Sequence, residues 1–335
     1  MPISIREVAA LAGVSIGTVS NVLNRPERVA DSTVIRVREA IETLGFIRND
    51  AARQLRAGRS RSIGLIVLDA GNPFFMDIAH GAENRAVEEG LAVLLGNSDE
   101  HVSRQDAYLD LFEQQRVAGL LITPVDNVLP RLQRMRKHGT PSVLVDRQID
   151  DKSFSSVAVD DVAGGRLAVN HLIEYGRRTI AFIGGPVGLA QVDDRLEGAR
   201  QAVHESRGVT LELIETEPLT VLQGRAAGEA IGRRAVADRP DAIFAANDLV
   251  AVGVLQGLAI LGDLRVPEDI ALIGYDDISF ASSTIVPLTS IRQPSELIGW
   301  TAVDLLIRET EGNGFTPEQV VFQPELTVRA STAGS

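Results

Sequence analysis

Downstream of Ser62 the chain repeats one rhythm, a short unbroken apolar run followed by a helical stretch. The first runs are IGLIVLD (63–69), LAVLLG (91–96), GLLIT (119–123), PSVLVD (141–146) and VAVD (157–160). Five more follow: TIAFIGG (179–185), LELIET (211–216), DAIFAAN (241–247), DIALIGYD (269–276) and VVFQPELTV (320–328). Strands without polar alternation are buried on both faces, and strands joined through helices run parallel. About ten of them suit two sheets better than one. The rhythm restarts near Thr179, so the predicted class is α/β with two doubly wound parallel-sheet subdomains. Ligands of such sheets bind beyond the carboxyl ends of the strands, which places the expected site in a cleft between the halves.

Other features narrow the function classes. At 335 residues the chain is long enough for two or three domains. No run of about 18 uncharged apolar residues occurs, so no membrane span is expected. Arg6 and Glu7 interrupt the stretch that a secretory signal would need, so a cytoplasmic location is expected. The chain has no cysteine, which excludes disulfides, thiolate metal sites and a cysteine nucleophile. A net charge of −12 argues against a nucleic-acid partner until its distribution is considered. Residues 1–61 hold ten arginines against six acids, a local excess of four positive charges, so the remaining 274 residues carry −16. A basic head on an acidic body is an electrostatic footprint at one end.

That head reads as three short helices. Ser4 and Glu7 fit a capping box, and Ile5, Val8, Ala9 and Ala12 form one apolar stripe that stops at Gly13. Ser15 can cap a second helix with Val19, Val22 and Leu23 inside, ending at Asn24-Arg25-Pro26. Asp31 or Ser32 caps a third, which Gly45 stops. Two helices joined at Gly13-Val14 form a helix–turn–helix, in which Ser15, Ile16, Gly17, Thr18, Ser20 and Asn21 of the second helix face the major groove. Residues 48–61 read as a linker that becomes helical when docked.

Residues 6–55, REVAALAGVSIGTVSNVLNRPERVADSTVIRVREAIETLGFIRNDAARQL, resemble the DNA-binding head and hinge of the LacI/GalR family of bacterial transcriptional regulators. The resemblance continues in SIGLIV, NPFF, RVAGLLI, VDR, ANDLVAVG, VPEDIALIGYDD and LTSIRQP, and so spans nearly the whole chain. It implies a head over 1–47, a hinge over 48–61 and an effector-binding and dimerisation body over 62–335. Within the body, 62–160 with 293–320 would form one subdomain and 161–292 with 321–330 the other. The resemblance also implies that Ile16, Gly17, Ser20 and Asn21 face base edges. Asn49, Ala52 and Leu55 match hinge positions, with Leu55 as the wedge between base pairs. Many relatives have Arg where Asn21 stands and Pro where Arg48 stands, so operator sequence does not transfer.

In the body, Asn72, Phe74 and Phe75 follow the first strand, and aromatic faces can stack on sugar C–H groups. Asp146, Arg147, Arg195, Asn247 and Asp276, with Gln293 in the crossover, match the ligand pattern of ribose-type periplasmic binding proteins, whose fold the family's body shares. Carboxylates accept from paired hydroxyls and Arg donates to oxygens, which suits a polyol. Leu189 stands where purine-responsive relatives place a base-contacting Arg, which disfavours a nucleobase. The expected partners are operator DNA, a small sugar effector and a second copy of the chain, with no membrane, metal or cofactor.

Enzyme signals fail on context. Gly13-Val14-Ser15-Ile16-Gly17 fits a G-x-S-x-G elbow, but that elbow needs a preceding strand. Gly184-Gly185-Pro186-Val187-Gly188 lacks phosphate-loop spacing. The paired aspartates and the five isolated histidines have no metal-ligand spacing. A periplasmic solute-binding protein would explain the body but not the basic head.

Overall fold

The computed structural model describes residues 3–46, 60–260, 264–312 and 314–333. The chain divides into two units, Met1–Arg59 and Ser60–Ser335.

The head unit contains α1 (Ile5–Ala12), α2 (Ile16–Asn24) and α3 (Asp31–Leu44). Glu7 accepts hydrogen bonds from the Ser4 N–H at 2.8 Å and the Ser4 hydroxyl at 3.0 Å, closing the first turn of α1. Gly13 ends α1 with φ 64°, a left-handed geometry that a Cβ disfavours. Ser15 caps α2 by accepting the Thr18 N–H at 3.0 Å. The third helix differs from expectation: Ala30 is its N-cap and makes no side-chain bond, while Asp31 lies inside the first turn. There the carboxylate still faces the positive end of the helix dipole. Val8, Ala9, Ala12, Val19, Val22, Val37 and Ala40 make a small core. So few apolar side chains leave little margin against conformational entropy.

The body contains two six-stranded sheets. The first is built from β1 (Ser62–Val67), β2 (Ala92–Asn97), β3 (Gly119–Ile122), β4 (Ser142–Val145), β5 (Ser155–Val159) and β11 (Gln319–Phe322), in the order β11-β5-β4-β3-β1-β2. The second is built from β6 (Thr179–Gly184), β7 (Thr210–Glu215), β8 (Ala242–Ala245), β9 (Ala271–Asp276), β10 (Thr289–Arg292) and β12 (Glu325–Thr327), in the order β12-β10-β9-β8-β6-β7. All pairings are parallel except β10 with β12. The shared 2-1-3-4-5 order puts a switch point between the first and third strands of each half, where loops diverge and leave a crevice.

The chain crosses between sheets after β5, after β10 and between β11 and β12. The last crossing corrects the expected boundary at 320/321. Val321 and Phe322 pair with Ala158 and Val159 in the first sheet, so that subdomain takes 293–322. What reads as one strand over 320–328 is two, broken at Gln323-Pro324, because Pro has no N–H to offer a ladder. Strand β10 is an addition: its Thr289-Ser290 start lacks an apolar signature, yet both residues are fully buried.

Helices α4 (Pro73–Glu88) and α11 (Ser295–Glu311) cover one face of the first sheet and meet backbone to backbone. A Cβ on Gly81 would lie 1.9 Å from the Glu296 carbonyl oxygen, and one on Gly299 1.9 Å from that of Ile78. Gly81→Ala must push the helices apart, at an expected loss of about 1–3 kcal/mol, and a melting curve within a degree of wild type would refute this close approach.

Candidate functional site

In the head, Ser15, Ile16, Gly17 and Asn21 are exposed along one side of α2, while Thr18 and Ser20 are half-buried. Val19, between them in sequence, and Val22, just after them, pack into the core, as helical periodicity requires. Ser15 and Thr18 spend their polar atoms on the cap, their hydroxyl oxygens 2.9 Å apart. Ser20 is bonded by the Asn24 amide, through its carbonyl at 2.7 Å and its hydroxyl at 3.3 Å. Ile16, 46% exposed, is an apolar tip beside them. Arg6, Arg25, Arg28, Arg36 and Arg38 are all exposed. They are balanced by five acids, Glu7, Glu27, Asp31, Glu39 and Glu42, so the positive excess of the basic end lies in 48–61, and the side of α2 itself offers polar and methyl contacts suited to base edges. Asn49, Ala52 and Leu55, the hinge candidates, lie outside the described residues.

In the body, helices and strand ends bring residues from both halves around a cleft with about 440 Å³ of space between its walls, part of it open to solvent. The loop after β1 supplies Asn72, which caps α4 by accepting the Phe74 N–H at 3.0 Å. Phe74 and Phe75 follow, packed edge to face with centroids 5.1 Å apart, and they serve both the core and the cleft wall. The end of β4 supplies Asp146, and the end of β9 supplies Asp276. Both adopt left-handed backbone, φ 54° and 103°, a cost that persists where surrounding structure imposes it. Asn247 caps α10 (Asp248–Leu255) through the Val250 N–H at 2.9 Å and lines the cleft as well.

Arg195, on α8 (Ala190–Glu205), is 4% exposed and organises the charges. Its Nε donates to Asp161 at 2.8 Å and its Nη1 to the Ala246 carbonyl at 2.8 Å, while Nη2 stands 3.8 Å from Asp276. The guanidinium lies 3.8 Å over the Tyr275 ring. Burial opposes its charge, but the Asp161 and Asp276 carboxylates outweigh burial and hold the guanidinium firmly protonated. One cation cannot satisfy three buried carboxylates. Burial, then the charge of Asp161, pushes the Asp146 carboxyl up to about 8 despite Arg195 and Gln191. Burial also raises Asp276 to about 6, held down by Arg195 and by bonds from Asn72 and Gln293.

Two hydrogen-bonded links span the cleft. Asn72 donates to Asp276 at 3.1 Å, and Gln191 donates to Asp146 through the carbonyl oxygen at 2.8 Å and Oδ2 at 3.0 Å. Asp146 Oδ1 and Gln191 Oε1 remain buried without a partner.

Seven of the nine expected effector residues meet here. Arg147 does not: it is half-buried and absent from the lining, because successive residues of extended chain point apart and the left-handed Asp146 turns the backbone. Gln293 does not line the cleft either, but donates to Asp276 at 2.8 Å from behind. Gln191, Asp69 and Glu100 are additions to the lining, and Asp161 holds Arg195 from outside it. Gln191 had a legible signal, since it stands four residues before Arg195 on one helix face. Glu100 had none.

Among the described residues no group of histidines and carboxylates has metal-holding geometry, and no helix is long and apolar enough to cross a membrane. Residues 4–49 match the family "Bacterial regulatory proteins, lacI family", and residues 169–332 match "Periplasmic binding protein-like domain". The HTH-type transcriptional repressor PurR of Aliivibrio fischeri (strain ATCC 700601 / ES114) is 33% identical over 338 residues, covering 98% of each chain. The ribose operon repressor of Escherichia coli (strain K12) is 33% identical over 331 residues, covering 98% of this chain and 99% of that one. Among solved structures, the lac repressor dimer bound to operator and the anti-inducer ONPF superposes with a TM-score of 0.83 at 28% identity, covering 99% of each chain. A LacI family regulator from Enterococcus faecium with bound ribose superposes with a TM-score of 0.74 at 27% identity, covering 82% of this chain and 99% of that one. A reading head, a two-lobed body and similarity along the full length converge: the chain belongs to the LacI family of bacterial transcriptional regulators, DNA-binding repressors rather than enzymes.

Proposed function

We propose that the protein is a homodimeric repressor whose grip on its operator is controlled by a small sugar, ribose or a similar pentose, bound between the two lobes. The carrying observation is the pair of unpartnered buried acceptors, Asp146 Oδ1 and Gln191 Oε1, beside Arg195 and the Phe74–Phe75 pair. Vicinal hydroxyls answer unpartnered acceptors, and the aromatic edge offers an apolar surface to ring C–H groups. The ribose-bound relative and the ribose operon repressor support the same class.

In the proposed mechanism the sugar inserts its hydroxyls into the Gln191–Asp146 and Asn72–Asp276 links and resets the angle between lobes. The head and hinge of each subunit follow, and operator affinity falls. By linkage the operator lowers sugar affinity equally, through about 1–3 kcal/mol of coupling. A two-fold assembly matches an operator with two half-sites.

Calorimetry on the full-length chain with pentoses, hexoses, nucleobases and nucleosides, paired with gel-shift titration, tests this. A pentose is expected to bind and to release the operator. A response to purines alone, the competing reading favoured by the equal similarity to the PurR repressor, would overturn it. The same titrations carry a pH signature. Burial raises the Asp146 carboxyl, and a sugar hydroxyl donating to its free oxygen favours the ionised form, so binding lowers its pKa and releases a proton from the protonated fraction. Affinity should therefore rise with pH up to about 8, and two buffers of different ionisation heat should report net proton release.

A further inference from the structure

Charge in the first lobe is sorted along its strands. Acids follow the carboxyl ends: Asp69 after β1, Asp99 and Glu100 after β2, Asp146 after β4 and Asp160 after β5. Exposed cations stand at the amino ends instead. Arg61 precedes β1, Arg116 caps the helix before β3, Lys137 ends the helix before β4, and Lys152 sits in the loop before β5. Those four strands are neighbours in the sheet, so the cations form a row on the order of 15 Å long. Lys137 and Lys152 are the only lysines of the chain. Among the described residues, the side chains of Arg116, Lys137 and Lys152 bond to nothing, and Arg61 makes one bond, from Nε to the Gly90 carbonyl at 3.0 Å.

The acids at this end are committed elsewhere: Glu88 and Glu89 to Arg85, Glu113 to Arg131, Glu309 to Arg136 and Glu318 to Arg308. Asp151 accepts the Ser153 N–H at 2.8 Å, which leaves Asp150 and Glu311 free among the described acids there. The matching end of the second sheet behaves differently. There Arg177, Arg178 and Arg239 donate to backbone carbonyls and Arg265 pairs with Asp269, with Arg207 left over. The chain also enters the body at the first sheet's amino end. The Ser60 N–H donates to the Arg116 carbonyl at 3.4 Å and β1 begins at Ser62, so the arginine-rich stretch 48–61 joins the body beside Arg116.

We propose that this row is a second DNA surface, on which the first lobe holds backbone phosphates of the duplex flanking the half-sites without reading sequence. The proposal rests on the family's DNA-binding head and is independent of the sugar reading. Exposed Arg and Lys with free donors suit phosphate oxygens, contacts that fix position and carry no sequence information. Duplex DNA presents one phosphate per roughly 3.4 Å of axis on each strand, so a row of this length meets several at once. A small anion needs a concave set of converging donors, whereas these cations are spread along an exposed edge. Acids at the opposite end of the lobe orient its field, with the cation row towards the duplex.

Anisotropy titrations on the full-length protein test this with two duplexes that share an operator selected from a random pool. One is trimmed to the two half-sites, and the other carries one helical turn of flanking sequence on each side. Wild type is expected to bind the longer duplex more tightly and with a steeper salt dependence. Each phosphate contact adds about 0.9 to the log–log slope, so the triple variant Arg116→Gln, Lys137→Gln, Lys152→Gln should flatten the long-duplex slope of a dimer by about 2–5. Arg61, tied to Gly90, is left in place. Affinity for the long duplex should fall about tenfold or more, while short-duplex affinity and melting temperature stay at wild-type values. The charge-keeping triple Arg116→Lys, Lys137→Arg, Lys152→Arg should restore the slope. An unchanged long-duplex slope overturns the proposal and leaves the row to an acidic protein partner. A loss equally large on the short duplex also overturns it, since the removed charges would then act at a distance rather than by contact with the flanks.

Discussion

Arg195→Met is expected to abolish the effector response while leaving a protein that still binds its operator. The side chain is nearly volume-conserving, so the change removes charge and donors rather than packing. It deprives Asp161 of its 2.8 Å partner, Asp276 of its nearest cation and the Ala246 carbonyl of a donor. Stripping one partner from a buried ion pair costs about 3–5 kcal/mol, because the remaining charge stays unpaired. At about 2–4 °C per kcal/mol for a body of this size, the melting point should fall by roughly 6–20 °C. Sugar affinity should fall by about a hundredfold or more, the cost of leaving buried polar groups unmatched against the ligand. A folded Arg195→Met protein released from operator at wild-type sugar concentrations would disprove the role of this residue.

The route from sequence to this site shows what linear pattern carries and where it fails. Strand–helix alternation foretold both sheets because continuous burial leaves its mark on every residue of strands such as β3 and β8. It missed β10, whose Thr289 and Ser290 are buried through side-chain bonds to Arg329, Asp248 and Thr332 rather than through apolarity. A polar strand satisfied by distant partners has no local signature. The cleft residues read well where they close strands: Asp146, Asn247 and Asp276 each follow an apolar run at its carboxyl end. Arg195 came from its likeness to relatives, since on pattern alone it is one more arginine in a polar helix. Arg147 is absent from the lining because adjacency in sequence is not adjacency in a cleft. Asp69 closes the first apolar run and so carried the same signal as Asp146, whereas Glu100 lies in a loop without one. Gln293 holds Asp276 in place from behind, a role that only three-dimensional geometry separates from touching the ligand.

The head allows a sharper test than its size suggests, because a two-fold repressor uses each reading residue twice. Asn21 is exposed on the side of α2 opposite Val19 and Val22, and its side chain takes no part in the cap formed by Ser15 and Thr18. Asn21→Ala should therefore leave the head folded, with an unchanged helical signal, whereas Val19→Ala would hollow its small core. A well-placed base contact is worth about 1–3 kcal/mol, so losing it in both half-sites costs about 2–6 kcal/mol, roughly 30-fold to 10⁴-fold in operator affinity. Binding to random duplex should change little, and the salt slope should stay the same, because no charge is removed. Sugar binding in the absence of DNA should also be unaffected, since Asn21 belongs to the other unit of the chain. If operator and random duplex weakened together, Asn21 would be a phosphate contact that sets register without reading sequence. Should a duplex selected from a random pool bind Asn21→Ala as tightly as wild type, α2 would not read through this residue, and the exposed Ile16 tip with Ser20 would have to carry the discrimination.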